Sequence, residues 1–223
     1  MSAKLRVAVL ISGRGSNMAA LIEAAADPDY PAEIGLVLSN RPDAAGLARA
    51  AEAGLATAVV DHRAYADRAA FEAALDARLV EAGIEFVCLA GFMRLLTDGF
   101  VERWRDRMIN IHPSLLPSFP GLHTHERAIA AGVKLHGCTV HFVRTEMDSG
   151  PIIAQAAVPV APGDTPDTLG ARVLKAEHGL YPLALALVAG GLVEVRGDVT
   201  TVIEGLPVAT EEILVAPTID LRG

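Results

Sequence analysis

The sequence predicts an α/β fold, with a single doubly wound, mostly parallel sheet to which an antiparallel hairpin is added late in the chain. Short, continuously apolar segments alternate with helical segments through the first half, as expected of parallel strands covered on both faces. Two longer strand-like segments joined by a tight connection follow later and fit an antiparallel pair. With 223 residues, of which 52% are hydrophobic, the chain is long enough for one such domain and too short for two full ones.

The first elements alternate strand and helix. Residues 6–12 form an apolar run that ends at Gly13, which is typical of a buried strand, and an alanine- and leucine-rich helix follows over 18–26. The pattern then repeats and predicts a βαβαβ unit. Its further members are a strand over 34–39, a helix over 44–53 and a strand over 57–61.

The next helix is indicated by Phe71, Leu75 and Leu79, which recur every four residues and form one apolar stripe facing the sheet. Gly83 ends this helix. Beyond it the sequence predicts a strand over 84–90, a turn over 91–96, a short helix through Trp104 and a strand over 108–111.

The pattern changes after residue 112. Residues 113–120 include three prolines, so we expect a rigid loop rather than a regular element. Residues 136–144 and 151–160 are strand-like and flank the connection 145–150, which predicts the antiparallel hairpin. A long helix over 167–188 then covers one face, and a short strand pair follows residue 192. We expect one domain over 1–205 and a C-terminal tail, 206–223, of uncertain order.

Composition and charge exclude several classes of protein. The net charge of −8 argues against a broad electrostatic contact with nucleic acid. The longest apolar segment, 180–192, is too short for a membrane span and contains Pro182, and the first residues do not resemble a signal peptide, so we expect a cytoplasmic protein. Cys88 and Cys138 lie in apolar strand-like segments without metal-binding spacing and are expected to be small core residues.

The turn at residues 12–17 has the sequence SGRGSN and lies between a strand and a helix. Backbone N–H groups and the positive end of the helix point at an anion in this context, which favours phosphate binding. A dinucleotide fingerprint would need a third glycine, so a monophosphate is the better candidate. An ordinary strand-to-helix turn is the alternative.

Asn110 and His112 occupy the carboxyl end of a strand, where open α/β sheets place their active sites. Residues two apart in a strand point to the same side, so an amide donor and an imidazole can face one ligand. This pairing suits acyl transfer, in which positioned donors stabilise the negative oxygen of a tetrahedral intermediate. Taken without its neighbours, His112 is better explained as a hydrogen-bonded buried histidine.

Asp148 lies in the sharp connection between the two late strands. A carboxylate there can hydrogen-bond an imidazole and favour its protonated form. Aspartate followed closely by glycine is also ordinary turn chemistry, so Asp148 by itself does not define a site.

Several motifs together resemble the glycinamide ribonucleotide formyltransferases, over roughly residues 5 to 190. They are GRGSN at 13–17, LAGFMRLL at 89–96, NIHPSLLPSFPGLHTH at 110–125, HGCTVHFV at 136–143, DSGPII at 148–153 and EHGLYP at 177–182. NIHPSLLP alone is shared more widely, with methionyl-tRNA formyltransferase and formyltetrahydrofolate deformylase, whereas GRGSN and PGLHTH narrow the resemblance. Ser149, where a glycine is common, and the tail beyond about residue 195 depart from the pattern.

The resemblance implies a Rossmann-like formyltransferase fold and a reaction of purine biosynthesis. In it, 10-formyltetrahydrofolate is the cosubstrate and glycinamide ribonucleotide accepts the formyl group by direct transfer. The implied catalytic residues are Asn110, His112 and Asp148, and the implied ribonucleotide-binding residues are Gly15, Ser16, Asn17, Lys175 and Glu177. The implied folate-binding residues are Arg68, Met93, Arg94, Leu95, Leu96, Arg144, Thr145, Glu146, Met147 and Asp148. Thr139 is expected beside the catalytic residues, where it could order a water molecule.

Three alternatives are weighed against this interpretation. Methionyl-tRNA formyltransferase normally carries a further basic C-terminal domain, and formyltetrahydrofolate deformylase an N-terminal regulatory domain, neither of which the sequence suggests. A non-catalytic phosphosugar- or nucleotide-binding module explains GRGSN but leaves Asn110 and His112 without a purpose.

His123 and His125 lack a third nearby metal ligand, so we expect a structural or helix-start role for them and no metal. The expected partners are small molecules only, with no nucleic acid or membrane, and the chain is expected to be a monomer or homodimer.

Overall fold

The computed structural model of the chain describes residues 3–203 and Ala216. Its first half comprises β1 (Leu5–Ile11), α1 (Ser16–Ala25), β2 (Ala32–Ser39), α2 (Ala45–Glu52), β3 (Thr57–Val59), a 3-10 helix (His62–Ala64), α3 (Arg68–Glu81), β4 (Phe86–Leu89) and α4 (Asp98–Arg103). Its second half comprises β5 (Met108–His112), α5 (Thr124–Ala130), β6 (Leu135–Phe142), β7 (Ile152–Pro159), α6 (Pro166–Ala189), β8 (Val193–Arg196) and β9 (Val199–Val202).

Within the described residues, seven strands form one sheet in the order β3-β2-β1-β4-β5-β6-β7. The pairs from β3 to β5 are parallel, whereas β6 pairs antiparallel with both β5 and β7. The predicted fold class is therefore confirmed, including the antiparallel hairpin added late. The order reverses between β1 and β4, and open α/β sheets bind ligands beyond the carboxyl ends of the strands at such a point.

The sheet separates two hydrophobic clusters, because alternate residues of each central strand point to opposite faces. In β1, Val7, Val9 and Ile11 pack in the cluster with α1 and α6, whereas Ala8 and Leu10 pack in the cluster with α3 and α4. This double burial explains why the strand is apolar without alternation in the sequence.

The long helix α6 begins at a capping box, in which the Thr165 side chain accepts from the backbone N–H of Thr168 and the Thr168 side chain accepts from that of Thr165. It continues through Pro182, whose carbonyl accepts a hydrogen bond from Tyr30 Oη at 2.7 Å. Within residues 3–203, neither α6 nor any other helix combines the length and apolar character that crossing a membrane requires.

The last described elements, β8 and β9, form a separate antiparallel pair beside β7, to which Thr200 Oγ1 donates a hydrogen bond at the Ile152 carbonyl. The predicted short strand pair is thus present. The predicted tail, 206–223, lies outside the described residues apart from Ala216.

The short helix α5 had no predicted bounds, although a helix start was one of the two roles expected near His123 and His125. It begins directly after His123, whose backbone has a positive φ of 57°, and so ends the proline-rich loop. Of the structural or helix-start role expected for His123 and His125, the structure shows the helix start, because α5 begins between them at Thr124.

Candidate active site

A cleft of about 870 Å³ opens at the carboxyl ends of β1 and β4. Its wall combines the turn at residues 13–17, the segment after β4 and the first half of α6. The residues that line it include Ser12, Gly15, Ser16, Asn17, Asn40, Met93, Arg94, Ile111, Pro113, Gly170, Leu174 and Glu177.

Glycine is required at position 15 of the turn, where the backbone has φ 68° immediately before α1. A Cβ atom there would lie 3.0 Å from Met18 Cε and 3.3 Å from Gly46 Cα. Because the turn carries no acidic residue and precedes the first turn of α1, its backbone N–H groups are available to an anion.

Asn17 and Glu177 meet in the cleft, where Asn17 Nδ2 donates to Glu177 Oε2 at 2.7 Å. Burial raises the pKa of Glu177, and the hydrogen bond from Asn17 partly opposes that shift. Asn17 Oδ1 is buried and has no hydrogen-bond partner among the described residues, so it remains available to a ligand.

Lys175, the other predicted ribonucleotide residue on α6, is exposed and is not among the described residues that line the cleft. At 100° per residue, a position two residues from Glu177 lies about 200° around the helix, on the opposite side. Leu174, three residues from Glu177, lines the cleft instead. The structure therefore does not support Lys175 as a contact of a ligand bound in this cleft.

The predicted pair Asn110 and His112 lies at the end of β5. Antiparallel pairing with β6 places Asn110 opposite His141 and His112 opposite Thr139. Side chains of directly paired residues share one face of a sheet, so these four polar residues form one patch. Their neighbours Ile109, Ile111 and Val140 belong to the hydrophobic cluster with α1 and α6.

Asp148 joins this patch from the connection between β6 and β7. Its Oδ2 lies 3.5 Å from His112 Nδ1 and accepts a hydrogen bond from Gly121 N at 2.7 Å. His112 Nε2 lies 3.0 Å from the Phe119 carbonyl oxygen, so both ring nitrogens face oxygen acceptors and are placed to donate. His112 is 5% exposed, because the segment around Phe119 covers it.

His141 belongs to the site but was missed by the sequence analysis. Its Nδ1 lies 3.0 Å from the Phe142 carbonyl oxygen and must donate there, which leaves Nε2 as an acceptor for Asn110 Nδ2 at 3.3 Å. Burial lowers the pKa of His141, which favours the neutral ring that this role needs. His141 follows Thr139 by two residues on a predicted strand, so both side chains lie on the same face of the sheet. This spacing was the signal that could have identified it.

Thr139 lies opposite His112 in this polar patch, but its hydroxyl is not free for the predicted water-ordering role. It donates to the Ser114 carbonyl at 2.7 Å and accepts from Leu116 N and Gln155 Nε2, both at 3.0 Å. A hydroxyl has one donor and two acceptor sites, so its capacity is full. Thr139 instead holds the loop that follows β5.

The predicted folate segment after β4 presents exposed apolar side chains, with Met93 70% and Leu95 61% exposed. Leu96 packs in the cluster around Phe71, and Arg94 reaches the cleft. Arg68, the predicted partner of an acidic group, is exposed at the first residue of α3.

In the second predicted folate segment, Thr145, Glu146 and Met147 are exposed. Arg144 differs, because its guanidinium contacts Asp106 at 2.6 Å and donates to its neighbouring carbonyl at Val143. The Arg144 side chain therefore anchors this connection through its two terminal nitrogens, while Nε has no hydrogen-bond partner among the described residues.

His125 lies 3.2 Å from His136 through Nδ1 and Nε2. Burial lowers the pKa of His125, and it lowers the pKa of His136 to about 4, so both rings are neutral near pH 7. Among residues 3–203, side chains of His, Cys, Asp and Glu do not gather in groups of three or more suited to a metal ion.

The chain is similar to proteins that transfer or remove formyl groups. Residues 5–185 match the formyl transferase family. The human trifunctional purine biosynthetic protein adenosine-3 is 53% identical over 191 residues, which is 86% of this chain and 19% of that protein. The chain thus spans about a fifth of the length of that curated relative. Phosphoribosylglycinamide formyltransferase of Escherichia coli is 45% identical over 84% of this chain and 88% of its own length.

Two solved structures are also similar to the chain. Glycinamide ribonucleotide transformylase 1 from Symbiobacterium toebii is 45% identical and has a TM-score of 0.89, covering 92% of this chain and 96% of its own. A formyltetrahydrofolate deformylase from Burkholderia mallei is 32% identical with a TM-score of 0.82, and 71% of its chain is covered. The deformylase is thus the more distant of the two.

Proposed function

The chain belongs to the phosphoribosylglycinamide formyltransferases of the formyl transferase family, and on that premise we propose that its cleft transfers a formyl group from 10-formyltetrahydrofolate to the amine of glycinamide ribonucleotide. The products are formylglycinamide ribonucleotide and tetrahydrofolate, in a step of purine biosynthesis. The observation that carries the proposal is the group of Asn110, His112, His141 and Asp148 beside a cleft whose glycine turn precedes a helix.

The substrate amine is the nucleophile. It attacks the formyl carbon in its neutral form, a C–N bond forms, and the carbonyl oxygen becomes an oxyanion. Asn110 Nδ2, with one N–H donated to His141, directs its second N–H at this oxygen, and His112 supplies a further donor. The bond from carbon to folate nitrogen then breaks, and the proton lost by the amine passes to that nitrogen, with the His112 and Asp148 pair assisting the transfer.

A change of hydrogen-bond partner at His112 accompanies substrate binding. Its Nε2 faces the Phe119 carbonyl at 3.0 Å, so it reaches a substrate only when that carbonyl moves away. Gly121 N, which donates to Asp148, belongs to the same covering segment. Displacement of this segment exposes the imidazole and frees one acceptor site on the carboxylate.

Direct transfer without a covalent enzyme intermediate is favoured by the state of the two cysteines. Burial raises the pKa of Cys88 far above its ordinary value and that of Cys138 to about 12, so neither thiol forms a nucleophilic thiolate near pH 7. Water exclusion from the closed site would direct the formyl group to the amine rather than to water.

In the proposed complex, Gly15, Ser16 and Asn17 hold the ribonucleotide phosphate and Glu177 accepts hydrogen bonds from the ribose side. The exposed residues of the two folate segments contact the pterin, and Arg68 meets the acidic tail. Partners are small molecules rather than nucleic acid, and the enzyme acts as a monomer or homodimer, which analytical ultracentrifugation would distinguish.

The test is to incubate the protein with 10-formyltetrahydrofolate, with and without glycinamide ribonucleotide, and to follow tetrahydrofolate by absorbance and the formylated product by mass spectrometry. We expect tetrahydrofolate release only when the amine is present, in equal amount to the formylated product. His112→Ala serves as the matched inactive control. Release that does not need the amine would instead identify a deformylase and contradict the proposal.

A further inference from the structure

We propose that Ser12 is a positioning residue that couples the two substrate sites. The inference rests on the proposed function, because it connects the ribonucleotide turn (residues 13–17) to the folate loop (residues 91–97). Ser12 lies at the end of β1 and is 7% exposed, and it directly precedes the ribonucleotide turn.

Ser12 holds the start of the folate loop at two points. Its backbone N–H donates to the Gly91 carbonyl at 3.2 Å, and its Oγ accepts from Met93 N at 2.7 Å. The Ser12 hydroxyl itself donates to Asn40 Oδ1 at 2.6 Å. Asn40 is 1% exposed at the end of β2, so the hydroxyl is fixed in the direction that accepts from Met93.

The far end of the folate loop is held by a different element. Glu72 of α3, 4% exposed, accepts from Thr97 N at 2.7 Å and from Thr97 Oγ1. Between the two anchors, Met93 and Leu95 are largely exposed. The loop is therefore fixed at both ends and open to a ligand in the middle.

Only the anchor at Ser12 is continuous with the ribonucleotide turn. The carbonyl of Gly13, the next residue, accepts from Gly46 N at 3.0 Å, so the turn is also tied to α2. A phosphate that orders the turn must also order the Ser12 backbone. Because Ser12 Oγ accepts from Met93 N, the ordered Ser12 in turn holds the Met93 N–H in place. Ribonucleotide binding is thus expected to favour the folate-binding form of the loop, and the effect is reciprocal by linkage.

The coupling is measured by calorimetric titration of a folate analogue that cannot transfer a formyl group, with and without glycinamide ribonucleotide. In the wild type we expect the ribonucleotide to tighten analogue binding about fivefold or more. In Ser12→Ala the ratio of the analogue Kd without ribonucleotide to the Kd with it should fall close to one. Thr97→Val is the matched control, because it weakens the other anchor of the same loop. It should weaken analogue binding and leave the ratio at its wild-type value.

A second measurement does not depend on the variant folding. Ribonucleotide alone, added to the wild type, should slow amide hydrogen exchange at Met93 but not at Thr97. Equal ratios in the wild type and Ser12→Ala, or unchanged exchange at Met93, would overturn the coupling. Either result would leave the proposed function intact, because that function is decided by formation of the formylated product.

Discussion

Replacing Asp148 by asparagine separates the charge of this side chain from its shape. The carboxylate Oδ2 serves two groups, His112 Nδ1 at 3.5 Å and Gly121 N at 2.7 Å. An asparagine oxygen can still accept from Gly121, so the covering segment should keep its position. What the variant loses is the negative charge that stabilises a protonated imidazole during transfer.

The size of the loss follows from the distance. Two unit charges 3.5 Å apart interact by about 5 kcal/mol at an effective dielectric constant of about 20. The asparagine dipole retains part of this, so we expect a loss of about 3 kcal/mol in the transition state. At about 1.4 kcal/mol per tenfold change in rate, kcat should fall by about 100-fold.

Steady-state kinetics on both substrates, with thermal unfolding to establish that the fold is intact, measure the effect. We expect kcat to fall far more than either KM changes, as is typical of an interaction formed only in the transition state. His112→Ala should be at least as severe, and the double variant little worse than the poorer single variant, because the two residues act as a unit. Additive losses, or near-wild-type turnover in His112→Ala, would refute the proposed roles.

Three further predictions concern the walls of the site. Gly15→Val should raise the KM for the ribonucleotide about tenfold or more and leave folate affinity, measured without ribonucleotide, nearly unchanged, because φ is 68° and a Cβ would lie 3.0 Å from Met18 Cε; a loss of folate affinity with normal ribonucleotide affinity would contradict the assignment. Thr139→Val should lower the free energy of unfolding, measured by urea denaturation, by about 3 kcal/mol, because it leaves the buried Ser114 carbonyl and Leu116 N–H unsatisfied; an unchanged midpoint would be inconsistent with this role. Glu177→Gln should stabilise the protein at pH 7 but not at pH 4, while weakening ribonucleotide binding. Because burial raises the pKa of Glu177 in the folded protein, the wild type loses stability as the pH rises above the pKa that this carboxyl has in the unfolded chain. The neutral glutamine amide avoids this loss and can still accept the hydrogen bond from Asn17.

Site residues whose position depends only on local strand or turn structure could be predicted from the sequence. Asn110 and His112 share a face because strand periodicity is two, and Gly15 follows a strand and precedes a helix. Both features are local, so the apolar pattern that predicted the strands also located these residues. The structure brings Asp148 to His112 across 36 residues, which only the resemblance to a family indicated in advance.

Residues whose role depends on packing could not be predicted in this way. The apolar pattern of α6 predicted the helix but not its rotation, and this rotation places Leu174 rather than Lys175 in the cleft. Arg144 was expected to contact the folate, but its guanidinium pairs with Asp106, which follows α4 and lies 38 residues earlier. Such side chains are directed by long-range partners that sequence periodicity does not specify.

The antiparallel strand β6 explains why the polar patch of the candidate site forms where it does. Parallel strands of this sheet contribute residues mainly from their carboxyl ends, so each supplies one short segment to the cleft. Because β6 runs against β5, interior residues of β6 lie directly opposite the end of β5, and His141 is positioned to orient the Asn110 amide. The connection after β6 then returns to the same patch and carries Asp148 to His112. Gly150 permits this return, because a Cβ at that position would lie 1.7 Å from the Phe142 carbonyl oxygen. A single hairpin therefore supplies both the neutral acceptor beside the amide and the charged partner of the imidazole.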